Sequence, residues 1–327
     1  MNTLLRVEIK MNPDINIVIP LFNEEAVFPL LIKRLISLMD HFRESIEVIM
    51  VDDGSSDATS ELIKELCRSD QRFSGVILSR NYGHQIALTA GLQSVNAEQA
   101  VMVIDGDLQD PPELLHKMFE RFKEGFEVVY AIRKDRKEGF LKSTLYFLFY
   151  RIAQKMAEFD LPLDSGDFAL LSTRVVNVLN LMPEESRYLR GMRHWIGFDQ
   201  IGIEYRRSER AAGKPKYTFK MLFDLAYNGI FNFSEVPIKF VSKLGFFAIG
   251  VSIIYFIYTI IMRFYYDQVP SGFTAILFVI ILFGGVQLIS IGIIGEYIIR
   301  IFFQVKGRPL FLVDEEIRNK KISKKTF

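Results

Sequence analysis

Asp105, Asp107, Gln109 and Asp110 fall within six residues of VMVIDGDLQDPPE, Val101 to Glu113, directly behind an apolar run. Carboxylate and amide oxygens this close together are hard ligands of the kind Mg2+ or Mn2+ takes, and no Cys or His stands among them to suggest zinc. A divalent ion held by Asp105, Asp107 and Gln109 can in turn hold a diphosphate. Asp105 and Asp107, ionised at the mouth of a buried strand, repel each other and favour a cation between them. Asp110 precedes Pro111 and Pro112 and is expected to cap the helix that follows.

Three further polar clusters have the same setting: PLFNEE (20–25), DDGSSD (52–57) and RNYGHQ (80–85). Each follows an apolar, β-branched run, at 15–20, 46–53 and 75–80, as the first cluster follows 100–105, and a further run lies at 126–133. Helical stretches around 25–42, 57–68, 84–95 and 112–124 separate them. This alternation predicts an α/β domain with right-handed crossovers and a mostly parallel sheet. Ligands of open parallel sheets collect at the carboxyl ends of the strands, where all four clusters lie. There Asp53 can accept a hydrogen bond from a base N–H, with Pro20, Phe22 and Glu24 as the neighbouring wall and Phe22 against a base. Asp57 or Ser56 is expected to cap the helix beginning near Ala58. Beyond 134 the pattern predicts helices in 140–159 and around 173–182, with DLPLDSGDFALLS (160–172) as a loop between them.

The chain has 327 residues, 50% hydrophobic and 24% charged, with a formal net charge of +1. That balance gives no footprint for nucleic acid. The single cysteine, Cys67, excludes an intrachain disulfide and suits a reducing compartment. From Phe240 onward, two stretches of about 23 residues carry almost no charge, enough to cross a hydrocarbon core of roughly 30 Å. They predict transmembrane helices at about 240–264 and 273–297. Lys306, Arg308, Arg318, Lys320, Lys321, Lys324 and Lys325 follow the second, so the positive-inside rule predicts a basic cytoplasmic tail, 305–327. Two crossings put the first 235 or so residues on the same side, and no cleavable leader is evident at the N-terminus. Segment 216–237 presents apolar residues at helical spacing just before a span, as an interfacial amphipathic helix does. Gly284, Gly285, Gly292 and Gly295 offer close helix contact and a route to a homo-oligomer. Glu296 and Arg300 are spaced for an i,i+4 ion pair.

VIPLFNEE, VDDGSSDAT, RNYGHQIALTAGL and DGDLQDPPE, in this order and at these spacings, resemble the family 2 glycosyltransferases with a GT-A fold. Within them the chain is most similar to the polyprenyl-phosphate glycosyltransferases, the bactoprenol glucosyltransferases of GtrB type and dolichol-phosphate mannose synthase. DLQDPPE is far more specific than a bare DxD, and the likeness continues through YLRGMRHWIGF, ERAAGKPKYTFKML and the paired spans. It implies a Rossmann-like GT-A domain over 1–215, the interfacial segment, two spans within 238–304 and the basic tail.

The resemblance further implies a nucleotide sugar donor, a lipid phosphate acceptor, and a divalent ion on Asp107 and Gln109 with Asp105 supporting it. The reaction implied is inverting transfer of one sugar, glucose from UDP-glucose first, to undecaprenyl or a related polyprenyl phosphate. Mannose from GDP-mannose, N-acetylglucosamine and aminoarabinose would use the same machinery, and a non-catalytic nucleotide-sugar sensor is the alternative of another class. Asp167 sits where family 2 enzymes with hydroxyl acceptors carry their base, and here is either a base or a positioning group. Two anionic substrates call for permanent cations: Arg133 for the donor, and Lys142, Arg210, Lys214 and Lys216, with the neutral Ser143 hydroxyl as a hydrogen-bond donor, for the acceptor phosphate. Arg190, His194 and Trp195 are candidates for a sugar or acceptor wall. A processive synthase is disfavoured, since Arg193 and Trp195 are separated by His194 and only two spans are present.

Overall fold

The computed structural model describes residues 12–134, 165–185, 187–206, 236–266 and 272–324. These fall into two compact units, one built on the sheet and one containing the two long helices. The expected helix at 140–159 and the amphipathic segment 216–234 lie outside the described residues.

The four apolar runs form parallel strands β1 (Ile15–Leu21), β2 (Ile46–Asp52), β3 (Phe73–Leu78) and β4 (Ala100–Val103). Between them run α1 (Phe28–His41), α2 (Thr59–Ser69) and α3 (His84–Gln93); a 3-10 turn, Pro112–Leu114, leads into α4 (Leu115–Lys123). All residues of β1, β3 and β4 are buried, which is why these strands read as continuous apolar runs rather than alternating ones. α1 packs Leu31, Leu35 and Leu38 into the same core, the i, i+4, i+7 spacing of a one-faced helix.

Beyond α4 the structure departs from the sequence reading in three places. Residues 160–172 were expected as a loop, yet β6 (Ser165–Ser172) lies between β4 and β5 (Val128–Lys134), antiparallel to both. Phe168 and Leu170 face one layer while Ala169 and Leu171 are buried on the other, so no alternation marks the strand in sequence. α5 (Thr173–Leu181), α6 (Leu189–Trp195) and β7 (Gln200–Arg206) follow, with β7 parallel to β5. The sheet is therefore mixed rather than mostly parallel, in the order β7-β5-β6-β4-β1-β2-β3, and then two more strands.

Those two strands come from the segment expected as a basic tail, 305–327. β8 (Val313–Arg318) pairs antiparallel with β3, and β9 (Lys321–Lys324) pairs with β8. Ile317 is fully buried beside Gly75, while Lys64 reaches Glu315 at 3.0 Å and Arg318 reaches Glu47 at 3.3 Å. Only two of six β8 side chains are buried, so its sequence is dominated by charge and hides the strand. The lysines of β9 remain at the sheet edge, where charge discourages pairing with another chain.

In the second unit, α7 (Val236–Tyr266) and α8 (Phe273–Lys306) contain 25-residue windows of mean hydropathy 2.2 and 1.7, Ile238–Met262 and Leu282–Lys306. Both are long and apolar enough to cross a membrane. α8 runs nine residues past the expected end, and Glu296 and Arg300 form the i,i+4 pair at 2.9 Å.

Candidate active site

The DGDLQD turn leaves β4 at Ile104, whose N–H bonds Val18 O at 3.1 Å. Gly106, the one residue between the two carboxylates, passes so close to β1 that a Cβ would stand 2.3 Å from Leu21 Cδ2, so a larger residue there requires the buried Leu21 side chain to shift. Leu108 is held at φ +58° with its side chain buried. A left-handed leucine costs roughly 1–2 kcal/mol, offset by burying its side chain. The result is a turn that puts Asp107 and Gln109 on successive bends: Asp107 is 8% exposed and its Oδ1 accepts from Gln109 N–H at 3.1 Å.

Among the described residues no three His, Cys, Asp or Glu side chains converge as a ready-made metal cage. The donor set still fits Mg2+ or Mn2+, which take one or two carboxylates and complete their shell with substrate phosphate. Asp105 carries a trace of that need. Burial pushes its carboxyl upward, His84 opposes this, and Asp110, Asp167 and Asp107 add to it by repulsion.

The neighbouring strand ends are tied into one platform. Asp53, 3% exposed, accepts from the backbone N–H of Tyr82 at 2.7 Å and of Gly83 at 2.9 Å, so its two oxygens shape the loop between β3 and α3. Asn23 accepts from Ser56 N–H at 2.8 Å, and Asp57 accepts from Thr59 N–H at 3.0 Å beside the start of α2. Phe22 and Glu24 are half-exposed at this edge, whereas Pro20 is buried inside β1. Gly54, at φ +66°, stands where a Cβ would be 2.4 Å from the Arg80 carbonyl carbon. Gly54→Ala is expected to cost roughly 2–4 kcal/mol by combining φ strain with a backbone clash. An unchanged unfolding midpoint would show that the two loops separate freely.

The residue that gathers the carboxylates was not singled out by the sequence reading. His84, first residue of α3, brings Nε2 to 3.6 Å from Asp105 Oδ1 and 3.4 Å from Asp167 Oδ2. Burial works against its charge, but the bond to Asp167 and the charges of Asp105 and Asp167 outweigh it and push its pKa up to about 9. Asp167 stands on β6, not in a loop, with its side chain 12% exposed. Gln85 Nε2 donates to it at 2.9 Å while Gln85 Oε1 accepts from Leu189 N–H at 2.9 Å, and Arg190 Nε lies 3.6 Å away. Burial alone would raise its pKa, yet Arg190, His84 and Arg193 hold the carboxyl well below the usual carboxylate range. The signal for His84 was present in RNYGHQ. What the sequence withheld was that β6 runs beside β4 and so brings Asp167 within its reach.

The Asp110 expectation is corrected. The 3-10 turn after it has Pro111 at its N-cap and no side-chain cap bond. Asp110 is 1% exposed, accepts from the Tyr205 hydroxyl, and lies 3.7 Å from Arg133 Nη2. Of the expected wall, Arg190 meets Asp167, His194 packs edge-on to Tyr130 at 5.7 Å, and Trp195 is 63% exposed. Burial lowers the His194 pKa to about 4, with Arg193 and Arg190 adding to the shift, so its ring is neutral. Lys142, Ser143, Arg210, Lys214 and Lys216 lie outside the described residues.

A GT-A-like open sheet with a carboxylate turn at the end of β4 defines a class, and comparison with known proteins agrees. Residues 16–179 match the model of Glycosyl transferase family 2. A glycosyltransferase of Bacillus subtilis is 40% identical over 94% of this chain and 96% of that protein. One of Synechocystis is 37% identical over 93% of this chain and 96% of that protein. A prophage-derived bactoprenol glucosyl transferase of Shigella flexneri is 35% identical over 93% and 98%. The chain belongs to glycosyl transferase family 2, and its first unit has the GT-A fold.

Proposed function

We propose that the protein transfers a single sugar, glucose from UDP-glucose first, to a polyprenyl phosphate of the undecaprenyl type at a membrane surface, with inversion at the anomeric carbon. The observation that carries this is the end-to-end likeness to a bactoprenol glucosyl transferase in a chain with two membrane-length apolar helices. A divalent cation on Asp107 and Gln109, with Asp105 supporting it, would supply charge against the leaving diphosphate. The chain's own contribution is orientation. The Asp53-held loop and the half-exposed Phe22 and Glu24 border the nucleotide side, and Arg133 offers a permanent cation to phosphate oxygens.

The acceptor phosphate is already anionic near neutral pH and attacks without a strong base. Asp167 is suited to positioning, since a carboxylate held this acidic is a poor proton acceptor. Pairing of β8 with β3 keeps the chain after α8 beside the catalytic sheet, which supports one common side, cytoplasmic by the positive-inside rule, for the sheet and the basic C-terminus. Mannose, N-acetylglucosamine and aminoarabinose remain the competing sugars. The test is a panel of radiolabelled UDP and GDP sugars offered with polyprenyl phosphate and Mn2+. Label from UDP-glucose is expected in the lipid phase, joined through a β anomeric linkage; label from no donor, or an α product, would overturn the reading.

A further inference from the structure

Asp110 and Arg133 leave different strand ends, and the side chain that joins them belongs to a third. Tyr205 stands in parallel register with Arg133 near the end of β7 and is 7% exposed. Its ring stands edge-on to Phe168 of β6, centroids 5.7 Å apart and planes at 87°, which fixes where the hydroxyl points. That hydroxyl donates to Asp110 Oδ1 and accepts from Arg133 Nε at 3.2 Å. The direction of the chain is dictated by chemistry: a guanidinium only donates, an ionised carboxylate only accepts, and a phenol does both. Burial, and then the charge of Asp110, push the Tyr205 hydroxyl upward, so it keeps its proton across the neutral range.

The consequence falls on Arg133. Its Nε is turned inward to Tyr205, and its Nη2 lies 3.7 Å from Asp110 Oδ2. The guanidinium passes over Gly166, where a Cβ would stand 3.3 Å from Nη2, one residue from Asp167. The Arg133 side chain is 24% exposed beside the carboxylate cluster, so it is not sealed from a ligand. A guanidinium tied at Nε is pre-oriented, and its terminal N–H edge has the geometry that phosphate oxygens match.

We propose that Tyr205 is a positioning residue, its hydroxyl setting the angle of the Arg133 guanidinium so that the terminal N–H edge receives a phosphate oxygen of a substrate. This rests on the phosphate-bearing donor and acceptor proposed above. The phosphate has two sources, the donor's diphosphate and the acceptor's monoester, and the test separates them.

Full-length protein in detergent is titrated calorimetrically with inorganic diphosphate plus Mn2+, and separately with a short-chain prenyl monophosphate. The proteins compared are the wild type, Tyr205→Phe, Arg133→Ala and the double variant. Arg133→Ala is expected to weaken one probe about tenfold, which identifies the source. Tyr205→Phe should weaken the same probe roughly fivefold, leave the other within about twofold, and add less than about twofold on top of Arg133→Ala. An unaltered affinity in Tyr205→Phe, an equal loss for both probes, or full additivity with Arg133→Ala would overturn the proposal, as would an Arg133→Ala variant that binds both probes normally. Should Tyr205→Phe not fold, Asp110→Asn takes its place: selective weakening of one probe supports the proposal, and unaltered or uniform binding overturns it. Because binding is read apart from transfer, failure of the proposed reaction appears as selective binding without labelled lipid. Failure of positioning appears as unselective binding whatever the transfer rate.

Discussion

Asp107→Asn is expected to lower sugar transfer by at least about 10³-fold, equivalent to roughly 4 kcal/mol of transition-state stabilisation, while the protein stays folded. The substitution keeps an acceptor oxygen for the Gln109 N–H, which Asp107 receives at 3.1 Å, so the strained turn retains its internal bond. What disappears is the negative charge of Asp107, which is 8% exposed on the turn that follows β4. A neutral amide binds a hard divalent ion far less well than a carboxylate does. Transfer is measured in membranes against Mn2+ concentration, with circular dichroism as the folding control. Full wild-type activity in excess chelator would remove the metal from the scheme, and a variant near wild type would remove Asp107.

Asp167→Asn carries the second large effect, expected to act on stability and rate together. The asparagine can still accept from Gln85, but it leaves His84, Arg190 and Arg193 clustered without their common counter-charge. Breaking such a buried arrangement costs about 3–5 kcal/mol. The sign with pH follows from a folded pKa below the unfolded one. The stabilisation is fully present above about pH 4, the unfolded value, and is lost only as pH falls toward the folded value. The stability gap between wild type and variant should therefore be widest between about pH 4 and 6.5, close in acid as Asp167 takes a proton, and narrow as pH rises toward about 9, where His84 loses the charge that Asp167 supports. A gap that opens only above neutrality would contradict the charge arrangement around Asp167. A rate limb near neutral pH traceable to Asp167 would make it a base after all.

The first half of the fold was legible because buried parallel strands write themselves as apolar runs and their loops as polar clusters. The two long apolar helices were equally legible, since length and apolarity are what the sequence displays directly. β6 escaped because both its faces are buried and it opens on Ser, Gly and Asp, the residues of a turn. β8 escaped because four of its six positions face water or partner charges, and its pairing partner, β3, lies more than 200 residues earlier. No local pattern encodes a pairing at that separation.

The site divides in the same way. Sequence alone determined which oxygen-bearing side chains stand together, because Asp105, Asp107 and Gln109 are neighbours on one turn and their spacing is a covalent fact. Tertiary structure alone decided which groups meet them. His84 reaches Asp105 and Asp167 only because β6 runs antiparallel beside β4. Asp110 changed from an expected helix cap into the buried partner of Tyr205 and Arg133 because β5, β6 and β7 stack beside it. Residue types within a turn fix which ligands are available, whereas the charge each one bears and the partner each one keeps depend on strands brought together through the sheet.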